Sequence, residues 1–143
     1  MPTQNGKVGF GVVGLNFGLG RCQAIQEVPE AELVAVAART EATANRVGAQ
    51  LGVAAYADYR KLLKRDDVDV VCIFTPNAFH RDIAVDAANA GKHVVVTKPL
   101  EITLERVDAI VAACEANGVK LATEYVERFH PGHYLGYQAI ADG

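Results

Sequence analysis

Apolar and polar positions fall into alternating blocks along this chain, and the blocks predict strands that alternate with helices. The run VGFGVV at 8–13 reads as a first strand, bounded by Lys7 and Gly14. A helix is expected from about residue 18 to 28, closed before Pro29. The run at 32–38 is a second strand. Thr40 stands where an N-cap belongs, ahead of a helix over 41–51 that ends at Gly52. A short strand is expected near 53–56, and Asp58 caps a helical turn over 59–64. DVVCIF at 69–74 has no polar alternation after Asp69, as a strand buried on both faces requires. A helix then runs from Asn77 to Ala90 with Gly91 as its C-cap, and a strand occupies 93–96. Thr103 caps a helix that reaches Asn117 before Gly118, and 119–123 is a further strand.

This rhythm predicts an α/β fold: a doubly wound, mostly parallel sheet between two layers of helices, a three-layer αβα arrangement. Right-handed crossovers leave few topologies open. No linker interrupts residues 1–143, which are expected to form one domain. In such sheets ligands bind beyond the carboxyl ends of the strands. Those predicted ends carry Gly14, Arg39, Thr75, Pro76, Asn77, Thr97, Lys98, Pro99, Glu124 and Tyr125. The polar and conformationally unusual residues thus converge on one edge.

Two glycine patterns compete at the first of these ends. The stretch from Gly9 through Gly11 to Gly14 fits G-x-G-x-x-G letter by letter. That spelling carries meaning only after a strand and before a helix, and a turn at Gly9 would leave the polar residues 1–8 as its strand. A turn at Gly14 keeps Gly9 and Gly11 inside the strand. The loop is then GLNFGLG, in which Gly14 makes the tight turn and Asn16 tolerates φ > 0. Gly18 or Gly20 allows close helix–strand packing. Gly14, Leu15, Asn16, Phe17 and Gly18 are the expected cradle for a dinucleotide pyrophosphate at a helix N-terminus; an ordinary glycine-rich turn is the plainer alternative. Folds of this kind usually place an acid after the second strand for the adenosine ribose. Here that place is Ala38, followed by Arg39 and Thr40. A guanidinium offers a planar fork of donors to a phosphate, and Thr40 adds a hydroxyl. The pair points to NADP(H), with NAD(H) as the alternative; another adenosine ligand, such as S-adenosylmethionine, also stays open.

Composition narrows the partners. Fourteen basic and 17 acidic side chains give a net charge of −3, with no footprint for nucleic acid or an anionic membrane. No apolar run approaches the ~18 residues of a membrane span, and the N-terminal MPTQNGKV has no hydrophobic signal region. Cys22, Cys72 and Cys114 are odd in number, far apart, and set in apolar or helical stretches. They read as buried, reduced thiols of a cytoplasmic protein, neither bridges nor metal ligands. A small-molecule substrate and a second copy of the chain are the partners that remain.

Lys98 closes the apolar strand that begins HVVV and precedes Pro99, which marks a fixed turn, a cis peptide being one form of it. A lysine beside a nicotinamide can donate a proton or a hydrogen bond to a substrate oxygen, whereas a lysine at any strand end can simply be solvated. In TPNAFH at 75–80, Thr75, Pro76 and Asn77 lead from a buried strand into a helix whose first amides face a cofactor. His80 is grouped with these contacts, although a packing or capping role suits its place inside the helix.

With these residues in place the chain resembles the Gfo/Idh/MocA family of NAD(P)-dependent oxidoreductases. The matching motifs are GLNFGLG at 14–20, TPNAFH at 75–80, AGKHVVVTKPL at 90–100 and ERFHP at 127–131. They keep the family's order and spacing, and the similarity runs over nearly the whole chain from Lys7. The resemblance implies a Rossmann domain followed by an α/β substrate domain, acting on a sugar or cyclitol hydroxyl or the matching carbonyl. It implies that Lys98, the lysine of the family's E-K-P motif, is the catalytic residue, and that Asn77 contacts the cofactor. It also implies that Arg128, the arginine of the R-F pair, lies near the cofactor and the domain boundary. The acid of E-K-P is Thr97 here, which keeps a hydrogen-bonding group for the cofactor but no charge. The chain resembles the cofactor half alone; the family's substrate domain is expected to be absent, and 132–143 read as the lead-in to it. Two functional expectations follow: the NADP-binding half of a sugar-type dehydrogenase or reductase, or a stand-alone NADP-binding sensor or scaffold without turnover.

Overall fold

The computed structural model describes residues 6–143; the polar stretch 1–5, part of the N-terminus read above, lies outside the described residues. Strand β1 (Val8–Val13) turns at Gly14 into helix α1 (Leu15–Gln26), followed by β2 (Ala31–Ala37), α2 (Glu41–Leu51), β3 (Ala54–Tyr56) and α3 (Tyr59–Leu63). The second half holds β4 (Val70–Ile73), a 3-10 turn (Asn77–Phe79), α4 (His80–Asn89), β5 (His93–Thr97), α5 (Leu104–Ala116) and β6 (Leu121–Glu124). A second 3-10 turn (Val126–Phe129) then leads into α6 (Pro131–Asp142). The strands form one sheet in the order β3-β2-β1-β4-β5-β6, and every neighbouring pair is parallel. The direction of winding reverses between β1 and β4, which makes that point the natural ligand crevice.

The strands read as apolar runs because both faces are covered. Val12, Val36, Val70 and Cys72 pack with Leu15, Cys22 and Val47 beneath α1 and α2. Val13, Val71, Ile73, Val94 and Val96 pack with Leu62, Ile83, Ala84 and Ile110 on the opposite face, beneath α3, α4 and α5. At Gly11 a Cβ would lie 2.6 Å from Leu62 Cδ2, so the missing side chain is what lets α3 settle on β1. Burial pushes the Cys22 thiol up to about 11 and the Cys72 thiol up to about 12, so both stay protonated. All three cysteines are buried and free.

Local capping sets several helix starts. Thr40 Oγ1 accepts from the Thr43 amide at 3.3 Å, Asp58 Oδ1 from Arg60 at 3.0 Å, and Thr103 Oγ1 from Arg106 at 3.4 Å. The first helix differs from expectation. It begins at Leu15, not near 18, because Gly14 alone makes the turn at φ +95°. Asn16 is therefore helical, and no non-glycine residue among those described has positive φ. The expected helix from Asn77 starts instead as a 3-10 turn before α4. Residues 132–142 belong to a full helix, α6, that buries none of its residues, and Gly143 is its C-cap. Among the described residues no helix is long and apolar enough to cross a membrane, and no group of three or more His, Cys, Asp or Glu is placed to hold a metal ion.

Candidate functional site: a crevice at the carboxyl edge of the sheet

Gly14 is the hinge of the site. A Cβ there would lie 2.5 Å from the carbonyl oxygen of Phe74, so β1 and the end of β4 approach as closely as backbone allows. Its N–H donates to Ala37 O at 2.9 Å, which ties the turn to β2 as well. Gly18, one turn later, sits against Val12 and Phe74, where a Cβ would lie 3.0 Å from Val12 Cγ1. That contact draws α1 down on the sheet and aims its first turn over the crevice. Gly14 caps α1 without a side chain, and the first turn holds no acid. The first amides of α1 thus lack intrahelical acceptors and face outward as anion donors.

Beside this turn lies a cavity of about 640 Å³. Its walls are the ends of four strands and the elements that follow them. Gly14, Leu15 and Asn16 form one side; Ala38, Arg39, Thr40 and Thr43 form the β2 side; Asp58, Tyr59 and Arg60 follow β3; Thr75, Pro76, Phe79 and Asp82 follow β4. Arg39 and Thr40 are exposed, and among the described residues no hydrogen bond or ion pair engages the Arg39 guanidinium. Thr40 Oγ1 donates to Thr43 Oγ1 at 2.9 Å. Tyr59 donates its hydroxyl to Asp86 at 2.6 Å. Burial first, and that carboxylate second, raise the phenol's pKa.

The other half of the rim is built from β5 and β6. Thr97 pairs with Glu124 in the sheet register, and its hydroxyl donates to Glu124 Oε2 at 3.3 Å. Glu124 Oε1 accepts from Arg21 Nε of α1 at 2.8 Å. The Arg21 guanidinium lies over the Phe17 ring, 4.8 Å from its centroid, and 5.8 Å from that of Phe74. Lys98 is exposed just beyond Thr97, and the peptide to Pro99 is cis. The segment after Lys98 is bolted to the turn after β4. His80 is fully buried, with Nε2 2.9 Å from Thr75 O and Nδ1 3.1 Å from Pro99 O and 3.2 Å from Leu100 O. Glu101 accepts from Arg106 Nη2 at 3.0 Å, from the Arg81 amide at 3.2 Å and from the Ile102 amide at 2.6 Å.

An uncapped helix start, a glycine that only glycine can fill, and a crevice at the switch point of a parallel sheet form the dinucleotide-binding arrangement. The family model described as "Oxidoreductase family, NAD-binding Rossmann fold" matches residues 8–125. The chain belongs to the Gfo/Idh/MocA family. Among Gfo/Idh/MocA-type relatives, it is 39% identical over 125 residues to a D-xylose 1-dehydrogenase (NADP(+)) of Haloferax volcanii, covering 85% of this chain and 38% of that protein. It is 32% identical to a scyllo-inositol 2-dehydrogenase (NAD(+)) of Bacillus subtilis, covering 82% of this chain and 36% of the other. The 3-ketoreductase KijD10 of Actinomadura kijaniata, solved with TDP-benzene and NADP, superposes with a TM-score of 0.88 at 29% identity, over 96% of this chain and 44% of that one. The chain thus spans about two fifths of the length of these relatives.

The residues present fit the family's NAD(P) cofactor. The open amides at the α1 start suit a pyrophosphate. Thr75, which lines the crevice, carries a buried hydroxyl with no partner; among the described residues the only other such side-chain atom is Arg106 Nε. Of the residues singled out from the sequence, Gly14, Leu15, Asn16, Arg39, Thr40, Thr75 and Pro76 line the crevice together. Phe17, Asn77, Lys98 and Arg128 are exposed beyond those walls. Gly18 and Thr97 are buried behind the rim: Gly18 serves the helix–strand contact, and the Thr97 hydroxyl is taken by Glu124. His80 is corrected from a cofactor contact to a packing residue, because its ring has no exposed surface and both nitrogens face backbone carbonyls. Sequence reasoning missed the β3-side wall, Asp58 to Arg60, and the Arg21–Glu124 pair. A basic and an aromatic residue next to a predicted cap were the only local signal for the first. The second joins residues 103 positions apart.

Proposed function

We propose that this chain is the NADP(H)-binding half of an oxidoreductase that moves hydride between the nicotinamide and a hydroxyl or carbonyl carbon of a sugar, cyclitol or related substrate. The observation that carries the reading is the Arg39 guanidinium, unengaged at the wall of a crevice whose opposite side is the open start of α1. Arg39 and Thr40 bind the 2′-phosphate, for which Ala38 leaves no competing carboxylate. The amides of Leu15, Asn16 and Phe17 take the pyrophosphate, and Thr75, Pro76 and Asn77 border the path toward the nicotinamide. When bound, the nicotinamide supplies or accepts the hydride. Lys98 Nζ, at the substrate oxygen, takes the hydroxyl proton in oxidation and returns it in reduction. Arg128 stands where the substrate-binding part of the protein would join. The xylose and inositol dehydrogenases and the ketoreductase among the relatives favour a polyhydroxylated substrate.

Fluorescence titration of the chain with NADPH and NADH tests the cofactor. NADPH is expected to bind tighter, and Arg39→Asp to erase roughly 10- to 150-fold of that preference, the worth of a charge-assisted hydrogen bond. Equal affinities in the wild type, or a ratio unmoved by the substitution, would refute it. In the whole protein, Lys98→Ala is expected to leave NADPH affinity within about twofold and to lower turnover at least about 100-fold. Unchanged turnover would remove Lys98 from the chemistry.

A further inference from the structure

We propose that Arg60 binds the adenine base of the dinucleotide, stacking on it from the α3 side of the crevice while Arg39 serves the ribose side. The inference rests on the dinucleotide reading above. Arg60 lines the same cavity as Arg39 and Thr40, yet comes from a different strand end, after edge strand β3. Its side chain is 62% exposed, and its ionic partners are distant: Asp86 Oδ2 at 3.5 Å and Asp58 Oδ1 at 3.7 Å. Exposed pairs at such separations hold weakly, so the guanidinium can leave them for a ligand at small cost. It already lies over an aromatic ring, with Cζ 4.8 Å from the Tyr59 centroid. A guanidinium packed on one π system is suited to receive another. Phe79, 53% exposed, lines the same cavity from the β4 side and offers a second apolar surface to a planar ring.

The charges on this wall favour the base over a phosphate. Asp58 lines it beside Arg60, and Asp82 faces the same cavity from the β4 side. Asp82 is neutralised by Arg81 at 2.8 Å, and Asp58 is committed to the α3 cap. The two carboxylates repel a doubly charged phosphate, whereas a neutral purine carries no charge for them to repel.

Titrating the chain with NADPH and with NADH tests the assignment. Arg60→Ala is expected to weaken both by the same factor, roughly 3- to 10-fold, leaving their ratio unchanged. Arg60→Lys keeps the charge without the plane and should recover only part of the loss. Both variants should unfold at the wild-type urea midpoint, since the side chain is mostly exposed. Unchanged affinities would overturn the proposal. So would a loss confined to NADPH, which marks a phosphate ligand, or full recovery in the lysine variant, which marks charge alone. If the wild type showed no preference for NADPH while Arg60→Ala still weakened both nucleotides, the NADP assignment would fall and the adenine contact would stand. A chain that bound neither nucleotide would overturn both.

Discussion

Gly14 adopts φ +95°, and a Cβ on it would meet Phe74 O at 2.5 Å and Phe74 C at 2.6 Å. Both atoms are backbone, so no rotamer relieves the clash, and an L side chain in that region of φ/ψ is strained in any case. Gly20, six residues on in the same glycine-rich stretch, is helical and has nothing within 4 Å of the equivalent position. The two glycines look alike in sequence and are opposite in physics. Gly14→Ala is expected to cost at least about 2 kcal/mol of stability and to close the α1 start to a pyrophosphate. Gly20→Ala should stabilise by about 0.5–1 kcal/mol, because it removes glycine's entropy cost from a helix interior. Urea midpoints of the two variants, read with NADPH titrations, separate the roles; a similar change in both would refute the assignment of the turn to Gly14.

Between elements, the segment after β5 is held to the turn after β4 by Glu101, whose side chain is fully buried, and by His80. Burial alone would raise the Glu101 pKa. The Arg106 guanidinium and the Ile102 and Arg81 amides outweigh it and hold the carboxyl below its ordinary 4.5. A carboxyl depressed in the folded state contributes stability above its unfolded value and loses it as the pH falls through the folded one. Glu101→Gln should therefore cost about 1–3 kcal/mol at neutral pH, the penalty for a weakened buried hydrogen-bond set. The gap to wild type should narrow as the pH drops below about 4.5. Urea unfolding at pH 7 and pH 3 checks this, and a gap of constant size would refute the linkage. Thr40, Asp58 and Thr103 were legible as caps because a cap needs only its own next few residues. The central strands were legible because burial on both faces leaves an apolar run. Asn16 is helical where the sequence suggests a turn, because four glycine or asparagine positions lie within 14–20 and only the backbone tells which one turns. His80 was misassigned because its partners, Pro99 and Leu100, lie 19 and 20 residues away. Arg60 was overlooked because its place in the crevice depends on β3 pairing beside β2.

Over the whole molecule, the two core layers are closed by the six strands and α1 to α5, and α6 contributes nothing to either. Phe129 is 85% exposed, and Leu135, Tyr137 and Ile140 along α6 are 63%, 69% and 84% exposed. These apolar side chains have no cover among the described residues. The cofactor crevice is built from β1 to β4 and the segments that follow them, remote in sequence from α6. Shortening the chain to residues 1–130 should thus leave the unfolding free energy measured in urea within about 0.5 kcal/mol of the parent, as expected where no buried contact is lost. NADPH affinity should stay the same, and the shortened chain should remain dispersed at higher concentration because exposed Leu135, Tyr137 and Ile140 are gone. A marked fall in the midpoint would mean that α6 packs back on the sheet in solution. A fall in affinity alone would mean that the crevice extends toward the chain's last helix, and that the site's nicotinamide end is built partly from it.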